Sequence, residues 1–217
     1  MSFYAKHIFP RALEWTLNNE IVRCERREAL GQAVGDTLEI GFGTGLNLAC
    51  YPKAVTKVVG VDPEVMLVER VRQRIEHASM PVEYAQLNAS RKLPFADETF
   101  DSVVSTFTLC SIDDVASALA EVRRVLKRQG RFLFLEHGRA ESAKVARWQD
   151  RLNPIQRVIA CGCNLNRAID EIIRQAGLRI ENLDRYVMSG SPALMASMYR
   201  GTARRAAADD ADWADSR

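Results

Sequence analysis

Two patterns of hydrophobic and polar positions alternate along the chain. Short runs of apolar and β-branched residues are typical of strands covered on both faces, and they separate stretches in which apolar residues recur every three or four positions. The short runs are residues 37–40, 57–61, 82–86, 100–106 and 131–136. Because strands that alternate with helices form right-handed crossovers, the pattern predicts an open α/β sandwich around a largely parallel sheet.

The end of the chain departs from this alternation. Helical periodicity covers residues 63–78 and 115–127, whereas residues 178–186 and 194–202 are two strand-like runs with turn residues between them. Such close spacing predicts an antiparallel pair at one side of the sheet.

Two further helical stretches, residues 11–30 and 143–160, lie outside the alternation. Their apolar stripes predict core packing, and a lid over a ligand is the alternative. In the second stretch the stripe consists of Val145, Trp148, Leu152, Ile155 and Ile159. We therefore expect an N-terminal helical cap at 1–30, a ligand-binding domain at 31–203 with a helical lid insertion at about 141–165, and a disordered tail at 204–217.

Composition narrows the class of protein. The 217 residues are 47% hydrophobic and 27% charged, as in globular proteins, and 30 Lys and Arg against 28 Asp and Glu leave a net charge of +2. This balance argues against nucleic-acid binding. No run approaches 18 apolar residues and the first residues lack a secretory pattern, so we expect a cytoplasmic protein without a transmembrane segment.

The five cysteines favour reduced thiols. Their number is odd and no two form a CxxC pair, so neither a disulfide framework nor a structural zinc site is expected, and the prediction is that no metal binds. Cys161 and Cys163 leave a thiophilic interpretation, in which they bind arsenite, as a weak alternative.

A glycine loop follows the first predicted strand. Gly41, Gly43 and Gly45 alternate directly after it, where glycines allow a sharp turn and a close approach of the backbone to a ligand. Asp62 ends the second strand, 21 residues after Gly41. An acidic residue at this position accepts hydrogen bonds from the ribose of a bound adenosine, so a nucleoside ligand is predicted.

Two details argue against a dinucleotide. The third glycine of the dinucleotide fingerprint would lie one place later, where the chain has Leu46. Glu39, just ahead of the loop, would repel a diphosphate and attract a cation. S-adenosylmethionine, which combines adenosine with a sulfonium and an amino group, fits both details.

Two further stretches, residues 91–101 (RKLPFADETFD) and 120–131 (AEVRRVLKRQGR), resemble patterns of class I S-adenosylmethionine-dependent methyltransferases. They are most similar to the branch that includes the ubiquinone and menaquinone C-methyltransferases, although Arg128 and Gln129 replace the usual Pro-Gly. The resemblance covers about residues 30–203. It implies a Rossmann-like sandwich with a mostly parallel seven-stranded sheet, an antiparallel final strand and helices on both faces.

The resemblance also implies a cofactor site, with S-adenosylhomocysteine as the product. The residues that line the methionine part would be Glu39, Gly41, Gly43, Gly45 and Asn47, and Thr106 would contact the amino group. Asp62 and Pro63 would line the ribose. Asn88, Ala89 and Ser90 would line the adenine. For Asn88 and Thr106, a turn residue and a strand-end residue are the alternatives.

The methyl acceptor is less defined. The Cys110-Ser111 and Glu136-His137 pairs, Trp148 and residues 162–165 show a patchy similarity to methyltransferases that act on small thiols. A small-molecule thiol is therefore the first choice, and His137, at the end of the fifth strand, is the candidate catalytic residue, as a base or an orienting group.

Several alternatives stay open. A phospholipid amine or a quinone- or phenol-type compound would also serve as acceptor, and Arg147, Arg151 and Arg157 would then give peripheral membrane contact. From other classes, an NAD-dependent oxidoreductase and a non-catalytic S-adenosylmethionine-binding protein remain.

Overall fold

A computed structural model describes Tyr4, residues 8–64 and residues 67–206. Within these residues seven strands form one sheet: β1 Gly35–Ile40, β2 Val55–Val61, β3 Val82–Ala85, β4 Phe100–Thr106, β5 Leu126–His137, β6 Leu178–Val187 and β7 Ser197–Arg205. Their order across the sheet is β3-β2-β1-β4-β5-β7-β6, and β7 runs antiparallel to both of its neighbours, β5 and β6, whereas the other neighbouring pairs are parallel. The predicted fold class is confirmed.

Six helices flank the described sheet: α1 Phe9–Leu17, α2 Glu20–Leu30, α3 Val68–Glu76, α4 Val115–Val125, α5 Ala143–Ile159 and α6 Ile169–Gln175. The single helix predicted at 11–30 is two, because the side chain of Asn19 caps a new helix by accepting a hydrogen bond from the Val22 backbone amide. The helix predicted from residue 63 begins at Val68, and residues 65 and 66 lie outside the described part of the chain.

The core lies on both faces of the sheet. On one face α4 and α6 pack against strand residues such as Leu38, Val103 and Phe132. On the other face α2 and α3 pack against residues such as Val58 and Leu133. The strand residues are fully buried, as the continuous apolar runs of the sequence predict.

Helix α5 corrects the prediction of core packing. Trp148, Ile155 and Ile159 of its apolar stripe are 49%, 59% and 54% exposed. Instead the helix is held by the buried Gln149, whose amide group donates to the carbonyl oxygens of Gly138 and Leu194 and accepts from the Ala140 backbone amide. Polar contacts thus replace an apolar seam, since Asp150 and Asn153 of the same helix also accept hydrogen bonds, from Arg139 and from the Leu165 backbone amide.

Strand β7 continues two residues past the predicted domain end at 203, and the rest of the predicted tail from residue 207 lies outside the described residues. Among the described helices none combines the length and apolar character needed to span a bilayer.

Candidate active site

The glycine loop has the backbone conformation that the sequence predicts. Gly41, Gly43 and Gly45 have φ angles of 71°, 56° and 77°, in the left-handed region that favours glycine. A Cβ atom at Gly41 would also overlap the side chain of Thr108, which follows β4. Residues 46–50 form consecutive turns rather than a regular helix.

Asp62 lies one residue beyond β2 and closes the loop. Its Oδ2 atom accepts a hydrogen bond from the Gly43 backbone amide at 2.9 Å, and its Oδ1 atom accepts one from the Glu64 amide at 2.9 Å. Burial raises the pKa of this carboxyl, against the effect of the two hydrogen bonds. Because each carboxylate oxygen has a second lone pair, Asp62 retains the capacity to accept from two ribose hydroxyls.

Glu39 and Asn47 form a buried polar group behind the loop. The Glu39 carboxylate accepts from Asn47 Nδ2 at 2.9 Å and from the Tyr51 hydroxyl at 2.7 Å, and Asn47 Nδ2 also reaches the Thr106 hydroxyl at 3.0 Å. Burial raises the pKa of Glu39 to about 7. The structure therefore brings together three of the predicted residues of the methionine side, Glu39, Asn47 and Thr106.

Arg26 of helix α2 completes this polar group and was missed by the sequence interpretation. Its Nη1 atom donates to Asn47 Oδ1 and to the Thr106 hydroxyl, both at 2.6 Å, while its Nε atom has no hydrogen-bond partner within the described structure. The guanidinium is buried, which lowers its pKa. The signal was present in the spacing, since Arg26 falls four residues after Val22 and four before Leu30, on the buried stripe of α2.

Arg26 changes the electrostatics inferred from Glu39 alone. A guanidinium and a carboxylate now lie in the same buried polar group, so the pocket is not simply negative. This pairing is complementary to the carboxylate and ammonium groups of an α-amino acid such as the methionine part of the expected cofactor.

The residues predicted to meet adenine follow β3. Asn88 is exposed, and its Oδ1 atom accepts a hydrogen bond from the Ser90 backbone amide at 2.9 Å. This hydrogen bond is typical of a turn residue, which is the alternative given above for Asn88. Ala89 is buried in the core, and Pro63 is exposed with its carbonyl oxygen accepting from Gln86 Nε2 at 3.0 Å. These residues lie at the ends of neighbouring strands, and their contact with a cofactor stays a prediction.

Helix α1 closes over the glycine loop through a buried carboxylate. Glu14 accepts hydrogen bonds from Arg74 of α3 and from the Thr44 hydroxyl, and Arg74 also donates to the Thr44 carbonyl oxygen at 2.7 Å. Burial raises the pKa of Glu14, but these hydrogen bonds outweigh it and hold the pKa below its usual value. The N-terminal segment thereby fixes the loop.

Glu136, the penultimate residue of β5, fixes the chain that follows β4. Its carboxylate accepts from the backbone amides of Thr108 and Leu109 at 2.9–3.0 Å and from the Ser105 hydroxyl at 2.8 Å. Burial raises the pKa of Glu136 and these hydrogen bonds oppose the rise. The acid is therefore structural, and it holds the ends of β4 and β5 in one arrangement.

His137, the last residue of β5, meets two cysteines. Its Nε2 atom lies 3.0 Å from Cys163 Sγ, and Cys163 Sγ lies 3.9 Å from Cys110 Sγ. All three side chains are buried, and each offers one metal-ligating atom within 4.8 Å of the others. Burial lowers the pKa of His137, but the hydrogen bond with Cys163 outweighs it and the pKa is raised; hydrogen bonding to Cys110 and burial raise the pKa of Cys163.

An apolar cleft of about 250 Å³ lies between α5 and the segment joining β6 to β7. Leu165, two residues after Cys163, forms part of its lining. The other lining residues are Leu152, Ile155, Gln156, Ile159, Pro192, Leu194 and Met195. The stripe of α5 that does not enter the core thus forms one wall of this cleft.

Comparison with known proteins gives a consistent family. Residues 38–134 match the model of a methyltransferase domain. A phosphatidylethanolamine N-methyltransferase of Cereibacter sphaeroides is 29% identical over 156 residues, which cover 71% of this chain and 74% of that protein. A thiol S-methyltransferase of Homo sapiens is 36% identical over 136 residues, or 60% of this chain and 54% of that protein.

A ubiquinone/menaquinone biosynthesis C-methyltransferase of Desulfotalea psychrophila is 38% identical over 106 residues, which cover 47% of this chain and 41% of that protein. The chain thus spans about half the length of several curated relatives.

Solved structures agree on the fold. The chain superposes with a TM-score of 0.67 and 14% identity on the 1,6-didemethyltoxoflavin-N1-methyltransferase of Burkholderia thailandensis, which was solved with S-adenosylhomocysteine, over 92% of this chain and 84% of that one. Together with the glycine loop and its two acidic residues, these matches identify residues 38–134 as a methyltransferase domain of the S-adenosylmethionine-dependent type.

Proposed function

We propose that the protein transfers a methyl group from S-adenosylmethionine to the sulfur atom of a small apolar thiol. The observation that carries the donor half is the buried group of Glu39, Asn47, Thr106 and Arg26 on one side of the glycine loop, with Asp62 on the other. This arrangement provides partners for the two ends of a nucleoside that carries an amino acid.

In this proposal each part of the cofactor has its own partners. Arg26 binds the methionine carboxylate through its unpaired Nε atom, and Glu39 with Asn47 and Thr106 faces the ammonium group. Gly41, Gly43 and Gly45 let the backbone approach the ligand, and Asp62 with Pro63 holds the ribose. Asn88, Ala89 and Ser90 border the adenine.

The chemistry needs little beyond orientation. The acceptor sulfur forms a bond to the methyl carbon while the bond from that carbon to the sulfonium breaks, its electron pair stays on the sulfur of S-adenosylhomocysteine, and the thiol proton passes to solvent. Holding the reactants in line supplies several kcal/mol of the barrier reduction. A thiol with an ordinary pKa near 8.5 already ionises to a few per cent at neutral pH.

His137 is proposed as an orienting group for the acceptor. Its Nε2 atom is already engaged by Cys163 and the ring is 4% exposed, which disfavours a free base that exchanges protons with solvent. Its place at the end of β5 is at the sheet edge where ligands of α/β proteins bind. We expect His137→Ala to lower kcat with little change in the affinity for S-adenosylhomocysteine, whereas an equal loss of both would indicate a structural role.

Two observations support a thiol. The apolar cleft that Leu165 helps to line suits a small apolar molecule, and the human relative with 36% identity carries the name of a thiol S-methyltransferase. A phosphatidylethanolamine amine is the second candidate, because the Cereibacter relative has that name and Arg147, Arg151 and Arg157 of α5 are exposed next to the apolar stripe.

An acceptor panel with isotopically labelled S-adenosylmethionine tests the choice. The panel contains a small aryl thiol, a small alkyl thiol, a phenol and vesicles with phosphatidylethanolamine. We expect label in the thiols. Label in the lipid alone would replace the first candidate by the second, and no transfer to any acceptor, with cofactor binding intact, would favour a non-catalytic binding protein.

A further inference from the structure

We propose that Cys110, His137 and Cys163 form a binding site for one thiophilic divalent metal ion of the Zn²⁺ class. The sequence predicts no metal because the three residues are separated by 27 and 26 positions and form no short ligand motif. The fold nevertheless brings one ligand atom from each within 4.8 Å of the others.

The distances suit a tetrahedral ion. Bond lengths of about 2.3 Å to sulfur and about 2.0–2.1 Å to nitrogen place two sulfurs about 3.8 Å apart, and a sulfur and a nitrogen about 3.6 Å apart. The two cysteine sulfurs are 3.9 Å apart, and His137 Nε2 is 3.0 Å from Cys163 Sγ. An imidazole shift of about half an ångström would therefore open the required space.

The ligand-bearing segments are fixed relative to one another. Asn164 donates from its backbone amide and from its side-chain amide to the Cys110 carbonyl oxygen, at 2.9 and 3.0 Å, which ties the Cys163 loop to the Cys110 segment. Glu136 ties the chain just before Cys110 to the end of β5, directly beside His137. The positions of the ligands are thus set by hydrogen bonds to groups other than the ligand atoms, as in a preorganised site.

The chemistry of the three side chains favours a bound metal ion over ordinary core packing. Two thiolates and a neutral imidazole carry a charge of −2, which a divalent ion balances as each thiol releases a proton. Soft sulfur ligands with one imidazole favour Zn²⁺ and similar ions.

Three protein ligands leave a fourth coordination position. Where a zinc site keeps such a position, a water or a substrate occupies it. In combination with the proposed function, on which this step rests, the fourth ligand would be the thiolate of the acceptor, and His137 would orient the acceptor through the ion. The metal site itself does not depend on that step.

Cobalt titration of the purified full chain, reduced and treated with a chelator, tests the site. We expect one equivalent of Co²⁺ per chain, with thiolate-to-cobalt charge-transfer absorption and the visible bands of a tetrahedral ion, both abolished by Zn²⁺. Cys110→Ser and Cys163→Ser should each weaken Co²⁺ binding by more than about tenfold. Substitution of a residue that only hydrogen-bonds to a metal ligand already causes a loss of about this size. Cys161→Ser is the matched control, since Cys161 is exposed and lies two residues from Cys163.

The outcomes decide the proposal. Absence of charge-transfer absorption, unchanged binding by Cys163→Ser, or an equal loss in Cys161→Ser would overturn it. Because the serine variants could misfold, X-ray absorption at the zinc edge of the wild-type protein counts the ligands directly, and we expect two sulfurs and at least one nitrogen. Metal binding without cofactor binding would contradict only the proposed function, and cofactor binding without metal binding would contradict only the metal site.

Discussion

At the scale of single residues, the proposed cofactor site depends on polar side chains that are buried together. Glu39, Asn47, Thr106 and Arg26 are joined by hydrogen bonds with almost no exposure to solvent. Burial makes each hydrogen bond stronger and each unpaired group costly. Substitutions here therefore affect ligand binding and stability together, and controls must separate the two effects.

Arg26 provides the sharpest residue-level prediction. We expect Arg26→Gln to weaken binding of S-adenosylhomocysteine by roughly tenfold or more, because a charge-assisted hydrogen bond contributes about 1.5–3 kcal/mol. Isothermal titration calorimetry measures the change. Arg27→Gln is the control, since Arg27 is on the same helix and pairs with Glu20 at the surface. Equal affinities for wild type and Arg26→Gln would contradict the assigned contact.

The raised pKa of Glu39 predicts that the stability of the unliganded protein depends on pH. Its folded pKa of about 7 lies above the ordinary 4.5, so the folded state binds more protons than the unfolded state between these pH values. The free energy of unfolding should therefore fall as the pH rises from about 5 to about 7, by at most about 1.4 kcal/mol per pH unit from this group.

Urea denaturation of wild type and Glu39→Gln at several pH values in this range isolates the contribution. The variant should lose the part of the slope that belongs to Glu39, while Glu136, whose pKa burial also raises, keeps its contribution in both proteins. Parallel curves for the two proteins would argue against a protonated Glu39.

At the scale of elements, the helices that border the candidate site are held by polar side chains. Glu14 fixes α1 to the glycine loop and α3, and Gln149 fixes α5 to the ends of β5 and the β6–β7 segment. The apolar stripe of α5 therefore does not pack into the core, and its residues line the proposed acceptor cleft. An insertion after the fifth strand can thus be anchored without a large hydrophobic interface.

Gln149→Ala is expected to destabilise the protein by about 1–3 kcal/mol, because the backbone groups of Gly138, Ala140 and Leu194 lose buried partners. Thermal or urea unfolding measures the effect. Lys144→Ala, an exposed change on the same helix, should be neutral within about 0.5 kcal/mol. If both variants are equally stable, the described anchoring of α5 is wrong.

The elements also show what sequence could and could not predict. The strands followed from continuous apolar runs, and the loop glycines from their spacing, because both depend on local physics. The core placement of the α5 stripe was wrong because periodicity identifies an apolar face without saying what covers it. Arg26 was missed because an arginine on a helix is usually solvated, and only the partners from β1, β4 and the loop justify its burial.

At the scale of the whole molecule, the sheet collects these parts at one edge. Parallel β1, β2, β4 and β5 deliver Glu39, Asp62, Thr106 and His137 to their carboxyl ends, where ligands of such sheets bind. The cofactor half of this arrangement is visible in the sequence as a motif of 24 residues, from Glu39 to Asp62. The cluster of Cys110, His137 and Cys163 is not, because three segments meet only after folding.

Calorimetric titration of the purified protein with S-adenosylhomocysteine tests the central claim most directly. The account predicts one molecule bound per chain, a roughly ten- to hundredfold weaker affinity in Asp62→Ala through loss of the ribose contacts, and no loss in Asp36→Ala, an exposed aspartate of β1. NAD should not bind. Failure of the wild-type protein to bind S-adenosylhomocysteine, or binding of NAD in its place, would contradict the account.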